Sequence, residues 1–244
     1  MASFFDKVKQ YFNSSYNGIL IYAGGDDMLA LIPVNSIYNF QKLVNENFQE
    51  EINKEEYKGI TYSQGIFITH YKAPLGEIIR VSKDELERVK EIFKDKRNDL
   101  DMEKDASILS IMTEGYDNRS VYFKNHIEGE LSVDFIWSTL MRYFNKENST
   151  YFHNQLQIEF LPIIKNIEKY EEYDVLSMFE AEQIRLMKRS IINKEESSEL
   201  INNINYKLKE FLIINRKDED TLDFNNYFDL FNVIRGLKQN MMEG

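Results

Sequence analysis

Cysteine is absent from the 244 residues, which excludes disulfides, thiol catalysis and cysteine-ligated zinc. Proline, with 3 residues, and glycine, with 10, are scarce, so long regular elements joined by short loops are expected. The three histidines are followed by Tyr71, Ile127 and Asn154, so no His-Asp dipeptide occurs. No run of about 18 apolar residues is present, and no membrane span is expected. The opening Met1-Ala2-Ser3-Phe4-Phe5-Asp6-Lys7 lacks the charged and apolar regions of a signal peptide, which makes a cytoplasmic location the expectation. Positive charge is also in short supply. Lys and Arg number 30 against 41 Asp and Glu, a net charge of −11. The deficit runs through the chain, with 16 basic and 20 acidic residues through residue 125 and 14 against 21 after it. A free-standing nucleic-acid binder carries a basic excess, so any RNA this protein works on is expected to be held mainly by other subunits.

What is present suits a folded protein of one large domain or two modest ones, at 43% hydrophobic and 29% charged residues. Apolar spacing predicts the end of an amphipathic helix over 4–12, then a polar break over 13–18. Two apolar runs at 18–23 and 28–34 read as a strand hairpin. A helix is expected over 35–49, a strand over 59–71, and a long helix from Pro74 to about Asp95. Residues 105–112 and 119–124 read as a last strand pair, turned at 114–118. From 131 onward helical periodicity dominates, with helices expected over 132–144, 149–167, 174–189, 197–211 and 224–242. Phe211 to Ile214 is the one stretch there that also reads as a strand. The expected architecture is therefore α+β. An antiparallel sheet with helices on one face, a ferredoxin-like palm over 1–128, is followed by an all-α helical bundle over 129–244.

Between the two strands of the hairpin stands Gly24-Gly25-Asp26-Asp27. Two carboxylates on a glycine-softened tip can hold a hard divalent cation against a triphosphate, as in polymerases and nucleotide cyclases. The same four residues also make an ordinary turn, since Gly and Asp favour hairpin tips.

The run from Gly18 to Val34, GILIYAGGDDMLALIPV, closely resembles the second palm of the large subunit of type III CRISPR effector complexes, particularly the Cmr (III-B) branch. Ser63 to Leu75, SQGIFITHYKAPL, is similar to that family's strand and helix entry after the tetrad. Lys104 to Ser110 resembles its next strand, and the helical remainder, ending in the run at 224–236, resembles its C-terminal helical domain. The resemblance implies a palm that binds ATP with Mg²⁺ or Mn²⁺ and joins ATP into cyclic oligoadenylates when a guide-loaded complex captures target RNA. It also implies partners: other type III effector subunits, guide RNA and target RNA through the complex, and an N-terminal half bearing the first palm. That family's second palm opens with an Asp- and Gly-rich strand supplying a further metal carboxylate. Here that strand would precede residue 1, so the palm is expected to lack its first strand and, alone, to hold metal poorly. The family's His-Asp nuclease and zinc insert have no counterpart in this sequence.

Asp26 and Asp27 are accordingly the expected catalytic metal ligands. Gly24 and Gly25 would permit the turn and the close approach of a nucleotide. Ser63, Gly65, His70, Lys72 and Lys104 are the further nucleotide-binding candidates. For each, a packing or solvated-surface role is the plain alternative. The charge runs at 50–56 and 94–101 read as solvated ends, and Trp137 with Phe135, Leu140, Tyr143 and Phe144 as helix core. Lys188 and Arg189, with Arg185, form the one basic cluster nominated for RNA or subunit contact. Two other readings stay open. One is a structural subunit that scaffolds the ribonucleoprotein with an inactive palm. The other is a diguanylate-cyclase-like domain, whose tetrad ordinarily contains Glu.

Overall fold

The computed structural model describes residues 2–14, 18–52, 54, 60–94, 104–112, 118–127, 130–141, 151–166, 170–190, 197–216 and 221–242. The expected turn at 114–117 and the charge-run residues 95–101 lie outside these, as does the end of the helix expected over 132–144. The chain divides into two compact units, residues 1–62 with 240–244, and residues 63–239.

In the first unit, α1 (Ala2–Ser14) and α2 (Ile37–Ile52) flank a hairpin of β1 (Ile19–Gly24) and β2 (Asp27–Leu31). Phe4, Phe5 and Val8 of α1 recur at helical spacing and meet Phe40, Val44 and Phe48 of α2. Leu20, Ala23 and Met28 from one face of the hairpin pack against this cluster. The strands pair antiparallel, Leu20 opposite Ala30 and Tyr22 opposite Leu29, so Ile21 is an extra residue on β1. Such a bulge bends the strand.

The second unit begins with β3 (Gln64–Ile68), α3 (Leu75–Ile92), β4 (Ala106–Met112) and β5 (Asn118–Lys124). The expected single antiparallel sheet is corrected here. Among the described residues, β1 and β2 pair only with each other, and β3-β4-β5 form a separate mixed sheet. β3 and β4 run parallel because α3 carries the chain back to the same end between them. β3 is also shorter than the aromatic and β-branched run at 59–71 suggested. Helices lie on both faces of this sheet rather than one. Val89 of α3 and Phe93, which caps its end, pack with Ala106, Ile108 and Tyr122. On the other face, a Cβ placed on Gly236 would come 3.1 Å from Ile111 Cδ1. Cover on both sides explains why the β4 sequence ASILSIM is nearly continuous in apolar residues.

A short hairpin, β6 (His126–Ile127) with β7 (Glu130–Leu131), leads into α4 (Ser132–Asp134, continuing as a π-helical stretch Phe135–Leu140). Then come α5 (Tyr151–Ile164), α6 (Glu172–Ser190), α7 (Ser197–Ile214) and α8 (Phe224–Met242). Phe211 to Ile214 is the last turn of α7, not a strand. Phe160, Phe179, Phe224, Tyr227 and Phe228 make edge-to-face contacts at the helical core. Residue 128, where the composition changes, falls inside the second unit because helices beyond it bond directly to the sheet. Asn226 Oδ1 accepts from the Tyr122 N–H and its Nδ2 donates to the Tyr122 carbonyl, each at 2.9 Å. Asn215 Oδ1 accepts from the Lys124 N–H at 2.8 Å. No helix among the described residues is long and apolar enough to cross a membrane.

Candidate nucleotide and metal site

The tetrad divides between strand and turn. Gly24 ends β1 opposite Asp27, which opens β2, and Gly25-Asp26 form the two-residue turn. Gly25 has φ +68°, while Asp26 is not among the non-glycine residues with positive φ. Gly first and a negative φ second is the pattern of a type II′ hairpin turn, whose twist suits the flanking strands. The Tyr22 hydroxyl donates to the Gly24 carbonyl at 2.9 Å and braces the tip. Asp26 and Asp27 are both exposed. Gly25→Ala forces a Cβ into left-handed backbone and is expected to cost about 1–2 kcal/mol, read as a lower melting temperature of the chain.

Among the described residues no cluster of three or more His, Cys, Asp or Glu could hold a metal ion. Mg²⁺ is, however, commonly held by one or two carboxylates with the remaining positions taken by water and substrate phosphates. Two exposed, adjacent carboxylates fit that open mode of binding.

The other candidates lie in the second unit, at opposite ends of its sheet. Gln64 pairs with Ser107 and Ile68 with Ile111. Ser63, Gly65 and Lys104 therefore mark the amino ends of β3 and β4, and His70 and Lys72 follow the carboxyl end of β3. The strand between spans roughly 17 Å at about 3.3 Å per residue. Lys104 and Lys72 cannot share one phosphate. The Ser63 hydroxyl is buried without a hydrogen-bond partner. Gly65 faces α3: a Cβ there would stand 3.3 Å from the Ser82 carbonyl and 3.4 Å from Leu86 Cβ. Gly65→Ala is thus expected to push α3 away and cost about 1–3 kcal/mol, measured by denaturant unfolding, with nucleotide affinity unchanged.

Lys104 has a tightly specified backbone. Lys104 and Asp105 have φ +60° and +30°, a region that non-glycine residues occupy only when their surroundings compel it. The Lys104 N–H donates to Phe93 O at 2.7 Å, and the buried Lys124 ammonium donates to Lys104 O at 3.0 Å. Lys124 Nζ also lies 5.0 Å from the Phe93 ring centre. Asp105, 6% exposed, accepts from Asn125 Nδ2 at 3.1 Å and sits 3.3 Å from His126 Nδ1. Ser107 donates to Asn125 Oδ1 at 2.6 Å. This buried hub was not legible in the sequence. Its one signal is the density of Asp, Lys, Asn and His at the mouths of two apolar strands.

Arg185, nominated for RNA contact, is ion-paired to Glu159 at 3.3 Å and to Glu182. The Glu182 hydrogen bond and charge raise its guanidinium pKa, and the same hydrogen bond lowers that of the Glu182 carboxyl. Lys188 and Arg189 are exposed at the end of the same helix.

The carboxylate-tipped hairpin packed against helices is compatible with a palm-type domain. Residues 1–101 match the family model of the Cas10/Cmr2 second palm domain. The chain is 27% identical over 199 residues to the CRISPR system Cmr subunit Cmr2 of Pyrococcus furiosus, covering 80% of this chain and 20% of that protein. It is 31% identical over 100 residues to the Cmr2 subunit of Saccharolobus solfataricus, covering 33% of this chain and 10% of that one. With the family model covering residues 1–101 of the 244, these matches make the chain similar to the large subunits of type III (Cmr) CRISPR systems. It spans about a fifth or less of the length of these relatives.

Proposed function

We propose that this palm binds ATP with Mg²⁺ or Mn²⁺ and contributes to target-RNA-activated synthesis of cyclic oligoadenylates in a type III CRISPR effector. The observation that carries the reading is the exposed Asp26-Asp27 pair on a braced glycine turn, within the segment that matches the second palm. Asp26 and Asp27 would hold the cation, which supplies charge neutralisation and polarisation at the phosphates. Gly25 keeps the turn free of a side chain where a nucleotide approaches. Tyr22 fixes the Gly24 carbonyl, so the carboxylates are presented on a preset backbone. Further oxygen ligands come from phosphate, water or a partner chain. Guide and target RNA are held through other subunits, in keeping with the net charge of −11.

The test is to assemble the chain with the remaining subunits, guide and target RNA, then add ATP and Mg²⁺ and resolve the products. Cyclic oligoadenylate is the expected product. Its absence from an intact assembly overturns the reading. A scaffolding role with an inactive palm is the second reading, favoured by the limit of two carboxylates at the described site. It requires unchanged output when both are removed.

A further inference from the structure

The turn leaving β3 carries His70, Tyr71 and Lys72 in mutual contact. Tyr71 is 83% exposed, a large aromatic left in water. Its position is nonetheless organised. The His70 and Tyr71 rings are 4.5 Å apart at 38°, and Lys72 Nζ lies 5.4 Å from the Tyr71 ring centre. The backbone beneath is closed by the Ala73 N–H donating to His70 O at 2.9 Å and the Lys72 N–H donating to His70 Nδ1 at 3.2 Å. An accepting Nδ1 puts the neutral imidazole proton on Nε2, leaving a donor. The turn also follows the carboxyl end of a strand paired in parallel with β4, the end at which open α/β sheets receive ligands.

An ordered aromatic face beside an ammonium and an imidazole N–H matches a nucleotide in its parts: a base to stack, phosphates to pair, an oxygen to accept a hydrogen bond. We propose that Tyr71 is the base-stacking residue of a purine nucleoside triphosphate site on this turn, with Lys72 on the phosphates and His70 Nε2 as a donor. The proposal deepens the reading of the chain as an ATP-handling palm and rests on it. Stacking tolerates any base but favours the larger ring system. Tyr71 therefore sets purine over pyrimidine rather than adenine over guanine.

The experiment measures equilibrium binding of ATP, GTP, UTP and adenosine to the full 244-residue chain, with EDTA present so that binding at the carboxylates does not contribute. Tyr71→Ala is expected to weaken ATP and GTP alike, between about 5-fold and about 150-fold, the range that loss of one stacked base gives. Tyr71→Phe keeps the wild-type affinity, and Lys72→Met weakens ATP while leaving adenosine unchanged. Equal ATP affinity in wild type and Tyr71→Ala overturns the proposal, as does failure of the wild-type chain to bind ATP. Loss in Tyr71→Ala of binding to a single-stranded RNA 10-mer but not to ATP overturns it too and assigns the turn to RNA. Binding is scored without turnover. An assembled complex that makes no cyclic oligoadenylate, with Tyr71-dependent ATP binding intact, would defeat the proposed function and leave this site standing.

Discussion

Replacing Asp26 and Asp27 together with alanine is expected to lower cyclic oligoadenylate output from the assembled complex by at least about 100-fold. A cation at the phosphates supplies several kcal/mol of transition-state stabilisation, and each 1.36 kcal/mol is a factor of ten in rate. Stability should barely change, within about 0.5 kcal/mol, because both side chains are exposed. The Asp26→Asn/Asp27→Asn pair, which keeps shape and removes charge, should match the alanine variant. Product analysis with labelled ATP, alongside sedimentation of the complex, separates the outcomes. Full output from either double variant would mean that the tetrad is a turn and nothing more, and the scaffolding reading would take its place.

The largest effect on folding is expected at Asn226, far from the tetrad in sequence. Its amide makes two hydrogen bonds to the backbone of Tyr122 in β5, and the residue is 4% exposed. Asn226→Leu fills much the same volume but strands a buried N–H and a buried carbonyl, each costing about 1–3 kcal/mol. A loss of about 2–5 kcal/mol corresponds to a fall in melting temperature of roughly 5–15 °C for a unit of this size. Asn225→Ala, next door on the exposed side of the same helix, should change stability by less than about 0.5 kcal/mol. Equal melting temperatures for the two variants would show that the sheet does not depend on this bridge.

Local patterns in the sequence carried the elements well where several signals coincided. Pro74 marks the entry to α3, which opens at Leu75. The strand pair around the turn at 114–118 emerges as β4 and β5 within one residue at each edge. The hairpin is present with Gly25 and Asp26 at its tip. Partnership between elements was not legible. A crossover helix fixes β3 and β4 as parallel, yet nothing in either strand distinguishes parallel from antiparallel pairing. Phe211-Leu212-Ile213-Ile214 reads as a strand because four apolar residues in succession suit a buried strand as well as a helix end. The site was legible as residue types and not as places: Gly65 serves helix packing, and Lys104 and Lys72 stand at opposite ends of the sheet. Tyr71, Asp105 and His126 carry no such signal in the sequence, since an exposed turn and a strand mouth have no periodicity.

The same asparagines also decide in which direction the three-stranded sheet can grow. Asn226 and Asn215 fill hydrogen-bonding positions on β5 that another strand would use, at Tyr122 and Lys124. Side-chain amides thus act as a terminator on that flank, as charged or covered edges do in other sheets. Among the described residues, the opposite edge of this sheet is β3. Edge-to-edge pairing of a further strand on β5 is thereby opposed at the Tyr122 and Lys124 main-chain groups.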